Sequence, residues 1–162
     1  MKNLSSKIVI TIVIFLYGVM TLSAYIDSNN STTLLNDNPK YYTYNENVKP
    51  AKPILYIYNF HATRRCVSCV AIENTTTQAL EKYFQKEVDE GRIKRFIINV
   101  DEKENKKLVE KYEVYGTALY LVRLFKGKEN TIDLTAEGFK YAKNKPEKLL
   151  EILKEKISEN LK

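Results

Sequence analysis

The alternation of strand-like and helix-like hydrophobic patterns after residue 53 is the feature that most limits what this chain can fold into. Ile54 to Phe60 is rich in β-branched and aromatic residues and poor in polar ones, which is typical of a buried central strand. Three later segments are also predicted to be strands: residues 93–100, 118–125 and 131–134. A hairpin turn at Lys126-Gly127-Lys128 joins the last two.

Helices are predicted between and after these strands. The first begins at the cysteine pair, Cys66 and Cys69, and runs to about Glu90, where Gly91 ends it. Residues 103–112 form a short helix, and Pro146 begins a final amphipathic helix. The order β-α-β-α-β-β-α predicts an α/β fold with helices on both faces of the sheet.

The beginning of the chain predicts export. Lys2 and Lys7 precede residues 8–24, which carry no charge and are just short of a comfortable bilayer span. Residues 1–24 are therefore either a cleaved signal peptide or, with a slight preference, an uncleaved membrane anchor. Residues 25–52 are polar and lack periodicity, so they predict a flexible tether. The domain at 53–162 is expected in the periplasm or another extracytoplasmic space, membrane-anchored or secreted.

Charge and composition exclude several function classes. The 162 residues include 26 Lys and Arg against 20 Asp and Glu. The two signs are interspersed, which argues against nucleic-acid binding. One histidine and two cysteines are too few for a structural zinc site with four Cys or His ligands. The chain lacks a phosphate-binding or dinucleotide-binding glycine motif, and no cofactor is expected.

Both cysteines fall in one short motif, Arg65-Cys66-Val67-Ser68-Cys69, after a predicted strand and at the start of a predicted helix. The helix N-terminus and the positive charge of Arg65 favour a thiolate at Cys66. Cys69 lies on the same helical face, close enough to form a disulfide. We predict that Cys66 is the nucleophile and Cys69 the resolving thiol. The alternatives are metal binding and an inert disulfide staple, although such a short loop removes little chain entropy.

His61 is the only histidine, and it lies at the end of the first predicted strand. It could accept the proton of Cys69, or join Cys66 and Cys69 as a third ligand of Cu(I). A partly exposed loop histidine without a role is the other interpretation. Glu73 is either a proton relay or an ordinary carboxylate near a helix start. The rival function is therefore a soft-metal-binding protein or metallochaperone.

Residues 53–162 resemble thioredoxin in the strand, the CxxC pair, the long helix and the segments FIINVDE and KYEVYGTALYLVRLFKGKE. The motif Phe60-His61-x-x-x-Arg65-Cys66-x-x-Cys69-x-x-Ile72-Glu73 resembles exported thioredoxin-like proteins known as the F-type subunit of a nitrophenyl-compound nitroreductase. This resemblance implies a thioredoxin-like fold with a central mixed four-stranded sheet flanked by helices. It also implies thiol-disulfide exchange with a dedicated partner, either a membrane thiol reductant or a client protein.

The chain departs from the thioredoxin pattern in three ways, the first being Arg65-Cys66-Val67-Ser68-Cys69 in place of Trp-Cys-Gly-Pro-Cys. Ala118 stands where that family has a cis-proline facing the CxxC pair. A cis bond before a residue other than proline costs about 3 kcal/mol, so we expect the Thr117–Ala118 peptide to be trans. Asn59, allowing one inserted residue, stands where the resemblance places a buried carboxylate that assists the resolving cysteine. We therefore expect a poor general disulfide reductase.

Overall fold

The computed structural model describes residues 51–162, which form a four-stranded mixed sheet flanked by helices. The strands are β1 (Ile54–His61), β2 (Ile93–Asn99), β3 (Ala118–Phe125) and β4 (Lys128–Asp133). The helices are α1 (Val67–Tyr83), α2 (Gln85–Asp89), α3 (Lys106–Lys111, preceded by a 3-10 turn at Lys103–Asn105), α4 (Thr135–Tyr141) and α5 (Pro146–Asn160). The predicted signal or anchor at 1–24, and the tether as far as residue 50, lie outside the described residues.

The strands lie in the order β2-β1-β3-β4. The pair β1 and β2 is parallel, whereas β1 with β3 and β3 with β4 are antiparallel. Strand β1 pairs with a neighbouring strand on each side, and helices cover both faces of the sheet. Its almost entirely apolar sequence fits this buried central position, as predicted. Within residues 51–162, no helix combines the length and the apolar character needed to cross a membrane.

The two faces of the sheet carry different cores. Leu55 and Ile57 of β1 point to a face that we call the aliphatic face, which packs against α1, α4 and α5. Tyr58 and Phe60 point to the opposite face, the aromatic face, which is bordered by α3. The buried members of the aromatic face are Tyr58, Phe60, Phe96, Ile98, Val114, Ala118 and Val122. The prediction of helices on both faces is confirmed.

The first predicted helix is shorter than expected. It was expected to continue to Glu90, but α1 ends at Tyr83 and α2 is a separate helix. The break falls at Phe84, whose backbone leaves the helical region at φ −136° while its side chain is buried in the aliphatic core. Packing of this aromatic ring therefore overrides the local helical pattern. Gly91, at φ +70°, lies just beyond α2 and allows the chain to turn towards β2.

The hairpin and the segment after it also differ from the prediction. β4 begins at Lys128 instead of Thr131, because Lys126 and Gly127 both have positive φ and make a tight turn. This edge strand is exposed and begins with polar residues, so the sequence pattern did not indicate where it starts. Helix α4 was not predicted. Its Gly138 faces Ile72 of α1 so closely that a Cβ would lie 3.0 Å from the Ile72 Cδ1 atom.

Candidate functional site

The junction between β1 and α1 places the two cysteines at the edge of the sheet. Cys66 is the N-cap residue of α1 and is exposed, whereas Cys69, one turn into the helix, is only 7% exposed. The two are joined by a disulfide, with their Cα atoms 5.1 Å apart. A partner sulfur can therefore reach Cys66 but not Cys69, which is what a nucleophile and a resolving thiol require.

Three hydrogen-bond donors point at the two sulfurs. The Cys69 backbone N–H donates to Cys66 Sγ at 3.1 Å, and the Cys66 N–H donates to Cys69 Sγ at 3.2 Å. The hydroxyl of Thr117, on the loop before β3, donates to Cys69 Sγ at 3.0 Å. Donors of this kind stabilise negative charge on sulfur. The arrangement is therefore suited to sulfurs that become thiolates.

Thr117 is a site residue that the sequence analysis missed. It directly precedes Ala118, the position where the resemblance places the turn facing the CxxC pair. The Thr117–Ala118 peptide is trans, as expected, and no peptide within 51–162 is cis. Ala118 itself is 5% exposed, pairs with Phe60 and packs into the aromatic core. The side chain that reaches the disulfide from this loop is thus the one before Ala118.

Arg65 forms a salt bridge with Glu73, one turn beyond Cys69 on α1. The pair ties the cysteine loop to the helix. Glu73 also offsets part of the positive charge that the sequence placed beside Cys66. The predicted role of Arg65 in stabilising a thiolate stays a prediction, whereas Glu73 has a defined structural partner.

His61 is the last residue of β1 and precedes the cysteine loop. It is partly buried, and its Nδ1 is 2.9 Å from the carbonyl oxygen of Ala62. Nearby, Asp101 accepts a hydrogen bond from the backbone N–H of Thr63 at 2.7 Å. Hydrogen bonds from the backbone and side chain of Thr63 lower the pKa of Asp101, and the charge of His61 adds a smaller effect in the same direction. This group anchors the loop that leads to Cys66.

The three predicted metal ligands do not form one group in the part of the chain that the structure describes. Among residues 51–162, no three Cys, His, Asp or Glu side chains are grouped so that they could hold a metal ion. In the disulfide form, the sulfurs of Cys66 and Cys69 are bonded to each other. The set of Cys66, Cys69 and His61 is therefore not a formed metal site in this state.

A buried polar group lies beneath α1, on the aliphatic face. Asn59 is 4% exposed, and its Oδ1 accepts a hydrogen bond from Arg95 Nε at 2.9 Å. Arg95 also donates to Thr77 Oγ1 at 2.6 Å and to the carbonyl oxygen of Glu73 at 2.9 Å. The Asn59 amide donates to Thr76 Oγ1 at 3.4 Å. The position where the thioredoxin resemblance implies a carboxylate thus holds a neutral amide bound to an arginine.

Arg95 remains a cation in this setting. Burial lowers its pKa from the ordinary value, while attraction to Glu73 and Glu81 opposes the shift. A guanidinium has so high an intrinsic pKa that it stays protonated at neutral pH. The sequence analysis missed Arg95, because a charged residue in a predicted strand is ordinarily assigned to a solvated position.

Comparisons with known proteins add no family. No family model matches the chain, and no curated protein is similar to it. Among solved structures, one described as "Structure of a malarial protein" aligns with a TM-score of 0.36 and 18% identity, over 51% of this chain and 82% of that chain. A likeness this weak supports no inference about fold or activity.

Proposed function

We propose that this chain is an exported thiol-disulfide exchange protein that passes two electrons through Cys66 and Cys69, to or from a dedicated partner protein. The observation that carries the proposal is the pairing of an exposed N-cap sulfur with a buried one in a single disulfide. A staple would gain nothing from this asymmetry, and a two-residue loop would stabilise the fold little.

The topology supports a thioredoxin-like fold as part of this proposal. The CxxC pair follows the central strand β1 and opens α1, and the β3–β4 hairpin lies on the other side of β1 from β2. The loop before β3 brings Thr117 to the disulfide. These are the relations that the resemblance to thioredoxin implies.

The exchange has two steps. In the dithiol form, the Cys66 thiolate attacks a sulfur of the partner's disulfide, forming a mixed disulfide and releasing one partner thiolate. The Cys69 thiolate then attacks Cys66 Sγ, closes the internal disulfide and releases the second partner thiolate. Two electrons pass to the partner, and the reverse sequence returns them. The burial of Cys69 confines the partner's sulfur to Cys66.

Membrane tethering through residues 1–24 belongs to the same proposal, supported by the uncharged run behind Lys2 and Lys7. A membrane thiol reductant or an exported client would then meet Cys66 on the outer side. The F-type nitroreductase resemblance fits a subunit that delivers electrons and contains no flavin of its own. We expect fractionation to find the intact chain with membranes or outside the cytosol. Recovery of the intact chain free in the cytosol would contradict this.

The proposed exchange is tested by titrating the protein in glutathione buffers and trapping free thiols with an alkylating reagent. We expect both cysteines to convert together at one ratio of reduced to oxidised glutathione, as a two-electron couple. A disulfide that resists every buffer would indicate a staple. Cysteines that stay unpaired at every ratio would also contradict the proposal.

Competition with a Cu(I) chelator, measured for wild type and His61→Ala, distinguishes the metallochaperone alternative from thiol-disulfide exchange. Under the proposed function, the dithiol protein gains no tight Cu(I) binding that depends on His61. Tight binding that His61→Ala weakens would favour the metal protein instead.

A further inference from the structure

Exposed apolar side chains lie in the two segments that hold the sulfurs. Among residues 51–162, five large apolar side chains are exposed, and three of them belong to these segments. Val67 and Val70 directly follow Cys66 and Cys69 in the chain. Because they are three residues apart on α1, their side chains are neighbours on one face of its first turn. The helix side of the site is thus apolar and open to solvent.

Tyr115 lies in the loop before β3, on the other side of the disulfide. It is 94% exposed, so it packs against almost nothing in the described part of the chain. Thr117, two residues later, donates to Cys69 Sγ, and two residues of chain span at most about 7 Å between Cα atoms. Gly116 leaves the loop open, because a Cβ there would meet no atom within 4 Å. The loop that brings a hydroxyl to the disulfide therefore also carries an aromatic ring that the fold does not bury.

The geometry of a mixed disulfide determines what covers these side chains. The two Cα atoms of a disulfide are about 4.4–6.8 Å apart, so a partner's cysteine bonded to Cys66 must lie close to this surface. Its neighbours in the partner's chain are only about 3.8 Å further along, measured between Cα atoms. Apolar neighbours would gain from burial there, whereas polar ones would lose water without a hydrogen bond. The site therefore favours apolar residues on either side of the partner's cysteine.

An unpaired cation borders the same surface. Arg65 is paired with Glu73, whereas Arg64 is exposed and makes no ion pair with Asp101 or any other acid among the described residues. Arg64 lies two residues before Cys66, so a partner chain bonded to Cys66 passes near it. An acidic side chain of the partner complements this charge, which speeds encounter and sets orientation more than it adds affinity.

We propose that Val67, Val70 and Tyr115 form a docking surface for a protein segment whose reactive cysteine lies between apolar residues, with an acidic side chain that faces Arg64. The inference rests on the proposed function and adds the class of partner. Tyr115 is its main specificity-determining residue, because aromatic rings contribute a large share of binding energy at protein interfaces.

The test uses the reduced full chain and synthetic peptides that carry one cysteine as a mixed disulfide with an aromatic thiol. The Cys66 thiolate attacks the peptide sulfur, and the coloured aromatic thiolate leaves. Cys69 then closes the internal disulfide and releases the peptide thiolate. The absorbance of the aromatic thiolate gives the second-order rate constant. Three peptides of equal length are compared: one with leucine flanks and a glutamate, one with leucine flanks and a lysine, and one with serine flanks and a glutamate.

We expect leucine flanks to give a rate constant at least about tenfold higher than serine flanks. Tyr115→Ala should remove most of this preference, whereas Tyr115→Phe should keep it because the ring is retained. At low salt, the peptide with glutamate should react about threefold faster than the one with lysine, and Arg64→Ser should remove that difference.

Ile97→Ala is the matched control. Ile97 is also exposed, but it lies on β2, which is on the opposite side of β1 from β3. Its truncation should leave the ratio between leucine and serine peptides unchanged. Tyr115→Ala should react at the wild-type rate with a small uncharged disulfide that has no flanking residues. A loss confined to the leucine peptides then reports docking and not a change in Cys66 itself.

Equal rates for leucine and serine peptides in wild type, or a preference that survives in Tyr115→Ala, would overturn this inference and leave thiol-disulfide exchange intact. A peptide with glutamate that reacts no faster than one with lysine would overturn the acidic part of the partner's description. Failure of the reduced chain to release aromatic thiolate from any peptide would overturn the proposed function itself.

Discussion

The two faces of the sheet are packed with different kinds of side chain. On the aromatic face, rings fill the space between β1 and its neighbours, with Tyr58 and Phe96 at 5.4 Å and Phe60 and Tyr120 at 5.7 Å between ring centroids. On the aliphatic face, the core is interrupted beneath the start of α1 by Asn59 and Arg95. Burying such groups is costly unless they are hydrogen-bonded, and packing alone gives no reason for them. Here the hydrogen bonds of Asn59 and Arg95 with each other and with Thr76 and Thr77 satisfy these groups and connect the sheet to α1.

A second polar group, formed by Tyr112, Glu129 and Lys111, borders the aromatic face and behaves differently from Asn59 and Arg95. The Tyr112 hydroxyl donates to Glu129 Oε1 at 3.0 Å, and Lys111 pairs with the same carboxylate. Burial raises the pKa of Tyr112 well above its ordinary value, and the neighbouring Tyr58 and Glu129 add to the shift. The hydroxyl therefore stays protonated at neutral pH. We infer that this group stabilises the fold and takes no part in exchange.

Among the substitutions that distinguish the two faces, we expect Phe60→Ala to have the largest effect on the free energy of unfolding. Phe60 is 1% exposed and contacts the rings of Tyr58, Tyr112 and Tyr120. Its truncation should lower the free energy of unfolding by about 3–5 kcal/mol, because it leaves a cavity. Urea unfolding should give the same loss for the oxidised and reduced forms. A loss confined to one form would show that the aromatic face is coupled to the disulfide.

A smaller, more specific effect is expected from Thr117→Val. A hydrogen bond to a charged group contributes about 1.5–3 kcal/mol, so losing the donor to a departing Cys69 thiolate should slow reduction of the disulfide about tenfold. Stopped-flow reduction by dithiothreitol measures this rate. An unchanged rate would remove Thr117 from the exchange.

Tyr112→Phe is the matched control, since it removes one hydroxyl from the other face. It should lower the free energy of unfolding by about 1 kcal/mol or less and leave the rate of disulfide reduction unchanged. A rate that falls as in Thr117→Val would contradict the division of roles between the faces.

The elements with strong periodic patterns were predictable from the sequence. Strands β1 and β3 and the final helix agree with prediction within a residue or two, because each carries a long apolar pattern that local physics fixes. The break at Phe84, helix α4 and the early start of β4 were not predictable in this way. Each depends on burial, on close packing against Ile72, or on pairing with β3.

The site residues also fall into those that the local sequence predicts and those that it does not. Cys66 and Cys69 were found because their chemistry depends on a local spacing. Thr117 contacts Cys69 across 48 residues of sequence, and Arg95 reaches α1 because β2 pairs with β1 in a register that sets Arg95 opposite Ile57. Such contacts depend on tertiary pairing, which a single sequence does not specify.

The account depends most on the difference between an exposed, activated sulfur and a shielded one. The direct measurement compares two single-cysteine variants, Cys69→Ser and Cys66→Ser, in their rates of reaction with a small aromatic disulfide at neutral pH. We expect Cys66, in Cys69→Ser, to react at least about tenfold faster than Cys69, in Cys66→Ser, because it is exposed at a helix N-terminus and its thiolate is favoured. Equal rates, or a faster reaction at Cys69, would contradict the account.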